Sequence, residues 1–329
     1  MKIIEEEIRP DKIFKKYLSL AETDINTFFN NCKTDKINCP ACGSQHSEVW
    51  LIKNNFRYVI CNSCKSIFVN PRPKIEYFNR YYKDAPSTKF WATTFYKKTE
   101  KARREKLWKP KAKLVKNLIL KYQSKVNNFS LVDIGGGYGT FDEEIDKIMD
   151  IDITIIEPSI HLSKVCRKKG FKVVEKFFEN LKREDLSNNP KCFVSFELFE
   201  HLHDPRYFIN SLFEIMNNGD MLIFTTLSGM GLDIQLLKEN SKSVSPPHHL
   251  NFLNPKSVSN MLTEVGFSVL EITTPGKLDI DIISKNKSDI KDNFWRNIIE
   301  YSNQDELDKL QEKIVELNLS SHMMMTAIK

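Results

Sequence analysis

From residue 130 onward the chain alternates between short apolar runs and amphipathic stretches. Residues 130–134, 151–156, 171–174, 192–196 and 221–226 are dominated by aliphatic, β-branched and aromatic side chains, the composition of strands buried on both faces. Between them, 141–149, 161–169 and 207–216 carry apolar residues at helical spacing, with Gly170 and Asn218-Gly219 as stops. Helices between strands predict a parallel, doubly wound α/β sheet. A helix over 257–265 precedes a strand over 267–273, and one over 305–317 precedes a strand over 323–328. This pair of late strands suits an antiparallel hairpin closing the sheet.

The first 129 residues read differently. Residues 1–36 look helical, with Leu18, Leu20, Ile25, Phe28 and Phe29 available to cover part of the body, and carry no functional signal. Residues 37–73 hold two cysteine pairs, and 74–125 form a basic linker or cap before a domain spanning 126–329. Residues 97–125 contain twelve Lys or Arg against Glu100 and Glu105. Leu107, Leu114, Val115, Leu118 and Ile119 recur there at helical spacing, so the second half is an amphipathic helix. Its charge reads as a solvated face or, more sharply, as a phosphate-attracting surface.

The length of 329 residues accommodates one α/β domain and a small module. Hydrophobic residues at 41% and charged residues at 28% exclude a disordered chain. A net charge of +6 permits an anionic partner without demanding one. Residues 1–10 are acidic and lack the apolar stretch of a signal peptide. The longest uncharged apolar-leaning run, 221–232, falls short of the ~18 residues of a membrane span. Seven cysteines in this setting point to a reduced, cytoplasmic protein with a metal site rather than to disulfides.

Cys39-Pro-Ala-Cys42 and Cys61-Asn-Ser-Cys64 are separated by eighteen residues, the spacing of a zinc ribbon. Residues 49–52 and 56–60 alternate as a hairpin would, bringing the pairs together. Four thiolates with no open position make a structural tetrahedral site, and His46 is a loop residue outside it.

Residues 131–139 run from a strand through Asp133-x-Gly135-x-Gly137-x-Gly139 into a helix, so backbone can approach a ligand at a helix N-terminus. A dinucleotide fingerprint needs glycine at 135, 137 and 140, and residue 140 is Thr. Glu157 ends the next strand, where a carboxylate can accept both ribose hydroxyls. The loop resembles motif I of S-adenosylmethionine (SAM) methyltransferases.

Together with Phe68-Val69-Asn70-Pro71-Arg72-Pro73, the segment 196–205 containing Glu200-His201-Leu202, Pro247-His248-His249-Leu250-Asn251-Phe252 and Ser320-Ser321-His322-Met323, the chain resembles zinc-ribbon class I SAM-dependent methyltransferases of bacterial sugar and surface-polysaccharide pathways. The resemblance implies a seven-stranded Rossmann-like sheet. Asp133, Gly135, Gly137 and Gly139 would then line the methionine moiety of SAM and Glu157 the ribose. Phe178 or Glu179 would flank the adenine, and Phe196 and Glu197 would pass beneath the sulfonium. In the sugar C-methyltransferases a Glu-His-Leu segment in the late loop supplies a base; here it reads His248-His249-Leu250, so His249 matches and His248 replaces the acid. The further C-terminal domain of those enzymes is not expected.

Histidine titrates near neutral pH, and the loop after the fifth strand lies at the carboxyl edge of the sheet, where ligands bind. His249 is therefore the expected base and His201 a second acid/base or substrate contact. His248 is a weaker candidate, His161 and His322 read as structural, and Tyr81 and Tyr82 could reach the acceptor pocket. The expected acceptor is a small molecule, a nucleotide- or lipid-linked sugar. An RNA methyltransferase is the alternative, although from Cys39 to Val69 the ribbon carries only Lys53, Arg57 and Lys65 and no Asn-Pro-Pro-Tyr or Asp-Pro-Pro-Tyr segment occurs. A non-enzymatic SAM-binding or interaction protein is the third.

Overall fold

The computed structural model describes residues 5–123 and 129–329; Lys125 and the expected boundary at 125/126 lie outside the described residues. The N-terminal helix α1 (Asp11–Phe29) turns a stripe of Phe14, Tyr17, Ala21, Ile25 and Phe29 inward. Of the side chains expected to cover the body, Ile25 and Phe29 are fully buried, while Leu18, Leu20 and Phe28 lie at the edge of that stripe.

The cysteine module forms an antiparallel meander of β1 (Ser47–Lys53), β2 (Phe56–Cys61) and β3 (Ile67–Val69), followed by α2 (Ile75–Asp84). The basic segment is a continuous helical run of Tyr96–Arg103, a π-helical turn at Arg104–Trp108, and α3 (Lys109–Gln123).

The main body follows as β4 (Ser130–Ile134), α4 (Thr140–Asp146), β5 (Asp152–Ile156), α5 (Ile160–Lys168), β6 (Lys172–Val174), β7 (Lys191–Phe196), α6 (Pro205–Ile215), β8 (Met221–Leu227), α7 (Leu232–Leu237), β9 (Asn251–Phe252), α8 (Pro255–Val265), β10 (Ser268–Thr273), α9 (Asp279–Lys285), α10 (Asn293–Tyr301), α11 (Gln304–Glu316) and β11 (His322–Ile328). Seven of these strands make one sheet in the order β6-β5-β4-β7-β8-β11-β10. The first five are parallel, and β11 runs antiparallel between β8 and β10. The expected doubly wound sheet and closing hairpin are both present.

Alternate residues face opposite sides. Val132, Ile134, Phe193, Leu222, Phe224, Met323 and Met325 pack against α6 and α8. Leu131, Ile153, Ile155, Val194, Ile223 and Met324 pack on the other side, with Ala112, Val115 and Ile119 of α3 and Phe141 and Ile145 of α4. Helix ends follow sequence chemistry. Asp204 and Asn254 cap α6 and α8, each followed by proline, and Gly266 at φ +116° ends α8.

Strand β9 is not part of this sheet. It pairs with β3, Asn251 opposite Phe68 and Phe252 opposite Ile67, so the ribbon sheet is four-stranded and takes its last strand from the catalytic half of the chain. The cysteine module shares a core with the main body, where Cys39, Ala41, Cys61 and Phe68 lie in the same cluster as Leu253, Val258 and Phe199.

Part of the charge along 97–125 is paired within the molecule, while Lys97, Lys98, Lys101 and Lys113 are exposed. Arg104 pairs with Glu100, Glu143 and Glu144 at 2.9, 2.6 and 2.8 Å. Lys106 pairs with Glu7, Lys109 with Glu105, Lys111 with Glu197 and Lys121 with Glu271. Lys116 donates to the Ile148 carbonyl. Of these contacts, those of Arg104 with Glu143 and Glu144, of Lys111 with Glu197 and of Lys121 with Glu271 fasten the helical run to α4 and the sheet.

Among the described residues no helix is long and apolar enough to cross a membrane.

Candidate active site

The parallel strands β4, β5, β7 and β8 end at one edge, and β11 begins there, since His322 lies opposite Leu227. After β4, Gly135, Gly137 and Gly139 all have φ between +59° and +79°, a region in which only glycine is unstrained. A Cβ on Gly136 would sit 2.7 Å from Ile155 Cγ2 and 2.9 Å from Asp133 Oδ2, whereas one on Gly137 would meet nothing within 4 Å. The loop is thus pressed against β5 at residue 136 and open at residue 137.

Glu157, at the end of β5, is buried. Its Oε2 accepts from Gly137 N at 3.0 Å and its Oε1 from Ser159 N at 2.8 Å. Burial raises its carboxyl to about 7, against the pull of those two N–H groups. Asp133 lies beneath the loop facing Asp142. Burial first, then the Asp142 charge, pushes the Asp133 carboxyl well above its usual range. It supports the loop from below and is 2% exposed, so it offers little surface to a ligand.

Phe178 departs from expectation. It is a core side chain, 4.4 Å from the Phe208 ring in the layer under α6. Its neighbour Phe177 is the ring left exposed, at 54%, and Glu179 is also exposed. Of the two residues expected beside the adenine, Phe178 points into the core and Glu179 outward.

Phe196, the last residue of β7, is held edge-on by Phe141 at 4.6 Å. Glu197 follows at φ +55°, a left-handed conformation that a non-glycine residue adopts only when its surroundings impose it. Three groups do so: Thr225 Oγ1 donates to Oε1 at 2.7 Å, Lys111 Nζ donates at 3.3 Å, and His322 Nδ1 lies at 3.4 Å. Burial opposes ionisation, but His322 and Lys111 outweigh it and hold the carboxyl well below the usual range. His322, expected to be structural, thus lies against Glu197; His161 is exposed on α5.

Glu200 and His201 lie in a single 3-10 turn beyond β7. Glu200 is buried, accepts from Thr226 Oγ1 at 2.9 Å, and is pushed up to about 8 by burial and by Glu197. The His201 ring lies 4.8 Å from that of His249 and 6.0 Å from that of His248. His249 Nδ1 is 2.6 Å from the Ser243 carbonyl, so Nδ1 carries the proton and Nε2 a free lone pair. Burial holds His249 down at about 4 and His248 at about 3, with the neighbouring imidazole adding to the latter. His248 bonds Tyr81 Oη through Nε2 at 2.6 Å, and Tyr81 in turn bonds Ser87 Oγ. Tyr81 is accordingly a support, fully buried, while Tyr82 is 39% exposed beside His248.

What fixes this histidine loop is the ribbon. Tyr58 Oη on β2 donates to the His249 carbonyl at 2.8 Å. Leu250 donates to the Glu200 carbonyl, and its own carbonyl accepts from Val69 N. Arg72, 1% exposed, donates to Asn251 Oδ1 at 2.7 Å and to the His203 carbonyl. Asn251 Nδ2 reaches the Leu202 carbonyl at 2.7 Å. Sequence reasoning gave Tyr58, Arg72, Asn251, Lys111 and Thr225 no role; the signals were the segments 68–73 and 247–252, which contain Arg72 and Asn251 and carried the resemblance.

The four ribbon sulfurs lie within 4.8 Å of one another, with Cys39–Cys64 at 3.5 Å and Cys42–Cys61 at 3.6 Å. Thiolates around tetrahedral zinc stand roughly 3.8 Å apart, from a Zn–S distance of about 2.3 Å, so this donor set fits the ion.

A family profile described as a methyltransferase domain matches residues 91–272. Among curated proteins the chain is similar to the uncharacterized protein MJ1123 of Methanocaldococcus jannaschii, 24% identical over 154 residues, covering 47% of this chain and 72% of that one. Among solved structures it is similar to the plantazolicin methyltransferase BamL in complex with a triazolic desmethylPZN analog and SAH, at TM-score 0.49 and 16% identity, covering 76% of this chain and 93% of that one. It is also similar to the cyclopropane synthase MmaA2 from Mycobacterium tuberculosis, at TM-score 0.42 and 17% identity, covering 65% and 83% respectively.

Proposed function

Since the chain belongs to the methyltransferase domain family and is a SAM-dependent methyltransferase, we propose that it methylates a small-molecule acceptor, a nucleotide- or lipid-linked sugar, with His249 receiving the acceptor's proton. The observation that carries this reading is the tautomer of His249. With Nδ1 donating to the Ser243 carbonyl, Nε2 presents its lone pair beside His201 at the ligand-binding edge of the sheet. Burial keeps the imidazole unprotonated at neutral pH, and the ionised Glu197 favours the imidazolium that forms.

SAM supplies an electrophilic methyl group on a sulfonium sulfur. In the proposed arrangement Gly135, Gly137 and Gly139 admit its methionine portion. Glu157, already oriented by Gly137 N and Ser159 N, accepts the ribose hydroxyls. Phe196 and Glu197 lie beneath the sulfonium. As the acceptor atom bonds to the methyl carbon the C–S bond breaks, and the acceptor's proton passes to His249 Nε2. Cys39, Cys42, Cys61 and Cys64 would hold a structural zinc ion, which would fix the sheet against which the histidine loop is paired.

The test begins with calorimetric titration of SAM and S-adenosylhomocysteine (SAH) into the protein and its Gly137→Arg variant, with zinc content measured on the same sample. A panel of nucleotide sugars then serves as acceptors. His249→Ala should retain SAM binding and lose about 10²- to 10⁴-fold in transfer rate. Transfer at the wild-type rate in that variant would remove His249 as the base.

A further inference from the structure

We propose that Glu200, His201 and His249 form a second metal site, selective for a borderline divalent transition ion such as zinc. Each residue offers one ligand atom, and the three atoms lie within 4.8 Å of one another. Two imidazoles and a carboxylate are the donor set of open, mononuclear zinc and iron sites. Ligand atoms around tetrahedral zinc stand roughly 3.4 Å apart, from Zn–N distances of about 2.0–2.1 Å. Side-chain rotations of about an ångström close the difference.

The ligands are also oriented as metal ligands are. Imidazoles that bind a metal through one nitrogen donate the other N–H to a fixed acceptor, and ligating carboxylates receive a hydrogen bond of their own. His249 Nδ1 meets the Ser243 carbonyl at 2.6 Å, and Thr226 Oγ1 donates to Glu200 Oε2 at 2.9 Å. The two segments that supply the ligands are joined directly, since Leu250 N donates to the Glu200 carbonyl at 2.8 Å. The triad is thus held together by main chain and not only by side-chain packing. Three protein ligands leave at least one coordination position open.

Binding of the ion follows from these contacts alone. Its consequence rests on the reading of His249 as the base: the ion takes the same Nε2 lone pair that receives the acceptor's proton, so occupancy and methyl transfer exclude each other. The site then acts as a zinc-inhibited switch on the transferase.

The experiment is calorimetric titration of Zn²⁺ alone into the full-length protein already carrying one zinc per chain, with a weak competing chelator present. The expected result is one further equivalent. His201→Gln and His249→Gln should each weaken it more than about a hundredfold, and Thr226→Val about ten- to a hundredfold, the usual effect of removing a group that orients a ligand. Melting temperature and SAH affinity, measured on the same variants, exclude loss of fold as the cause. A single equivalent in the wild-type protein, or a second equivalent that survives both histidine replacements, overturns the site. Methyl transfer should fall in proportion to the second equivalent; a rate that rises with it overturns the competition. If His249→Ala remains fully active, only the base assignment fails, because zinc stoichiometry is read without turnover.

Discussion

Replacing Glu157 with alanine isolates the proposed ribose contact. The carboxylate is 6% exposed and fixed by two backbone N–H groups, at 3.0 Å from Gly137 and 2.8 Å from Ser159. Its remaining lone pairs are available to two ribose hydroxyls. Hydrogen bonds to a charged group contribute about 1.5–3 kcal/mol each, so losing both costs roughly 3–6 kcal/mol, or about two to four orders of magnitude in SAM affinity. The same carboxyl gives the binding a pH signature. Burial raises it to about 7 in the free protein. The ionised form binds the ribose, so below that pH a proton must first be released. Affinity should fall by up to about tenfold per unit as pH drops below 7 and level off above it. Calorimetry with SAH between pH 5.5 and 8.5 measures both effects, and the alanine variant should lose the pH dependence together with the affinity. A variant within threefold of wild type, or a wild-type affinity indifferent to pH, would refute the assignment of Glu157.

Tyr58→Phe keeps the buried ring but leaves the His249 carbonyl unpaired; it should cost about 1–3 kcal/mol in urea melts and slow transfer while SAH affinity stays the same. Gly136→Ala places a Cβ within 3 Å of Ile155 and Asp133 and should destabilise by about 1–3 kcal/mol; an unchanged thermal melt would contradict that packing. Removing the ribbon's zinc with a chelator should speed hydrogen exchange of the amides in β3 and β9 while β4 and β5 stay protected, followed by mass spectrometry. Uniform exchange across all four strands would show that the ribbon does not support the loop selectively.

The parallel strands were legible because each is a short apolar run buried on both faces, and their helices because they end in Gly170 or Asn218-Gly219. The cysteine spacing and the Gly loop were legible because their chemistry is local. Strand β9 was not, since two residues carry no periodicity and Asn251–Phe252 is a strand only because β3 is beside it. The same holds for Arg72 and Tyr58, whose partners Asn251 and His249 lie 179 and 191 residues away. The burial of Phe178 was not legible for a local reason: adjacent side chains in an irregular turn have no fixed alternation. Which charges of the basic helix are paired was not legible, because composition counts charges and not their partners. Glu143 and Glu144, which neutralise Arg104, lie beyond the next strand.

The pairing of β3 with β9 also sets an order of assembly. The Gly loop and Glu157 belong to neighbouring strands separated by a short connection, and such contacts form early. The histidine loop reaches its place only when a strand from the first quarter of the chain meets one from the last, a closure whose entropy is recovered late. During synthesis on the ribosome the cysteine module emerges first and then waits for its fourth strand. The nucleotide-binding half can therefore form before the histidine loop is set, because that loop waits for Ile67–Val69 to meet Asn251–Phe252.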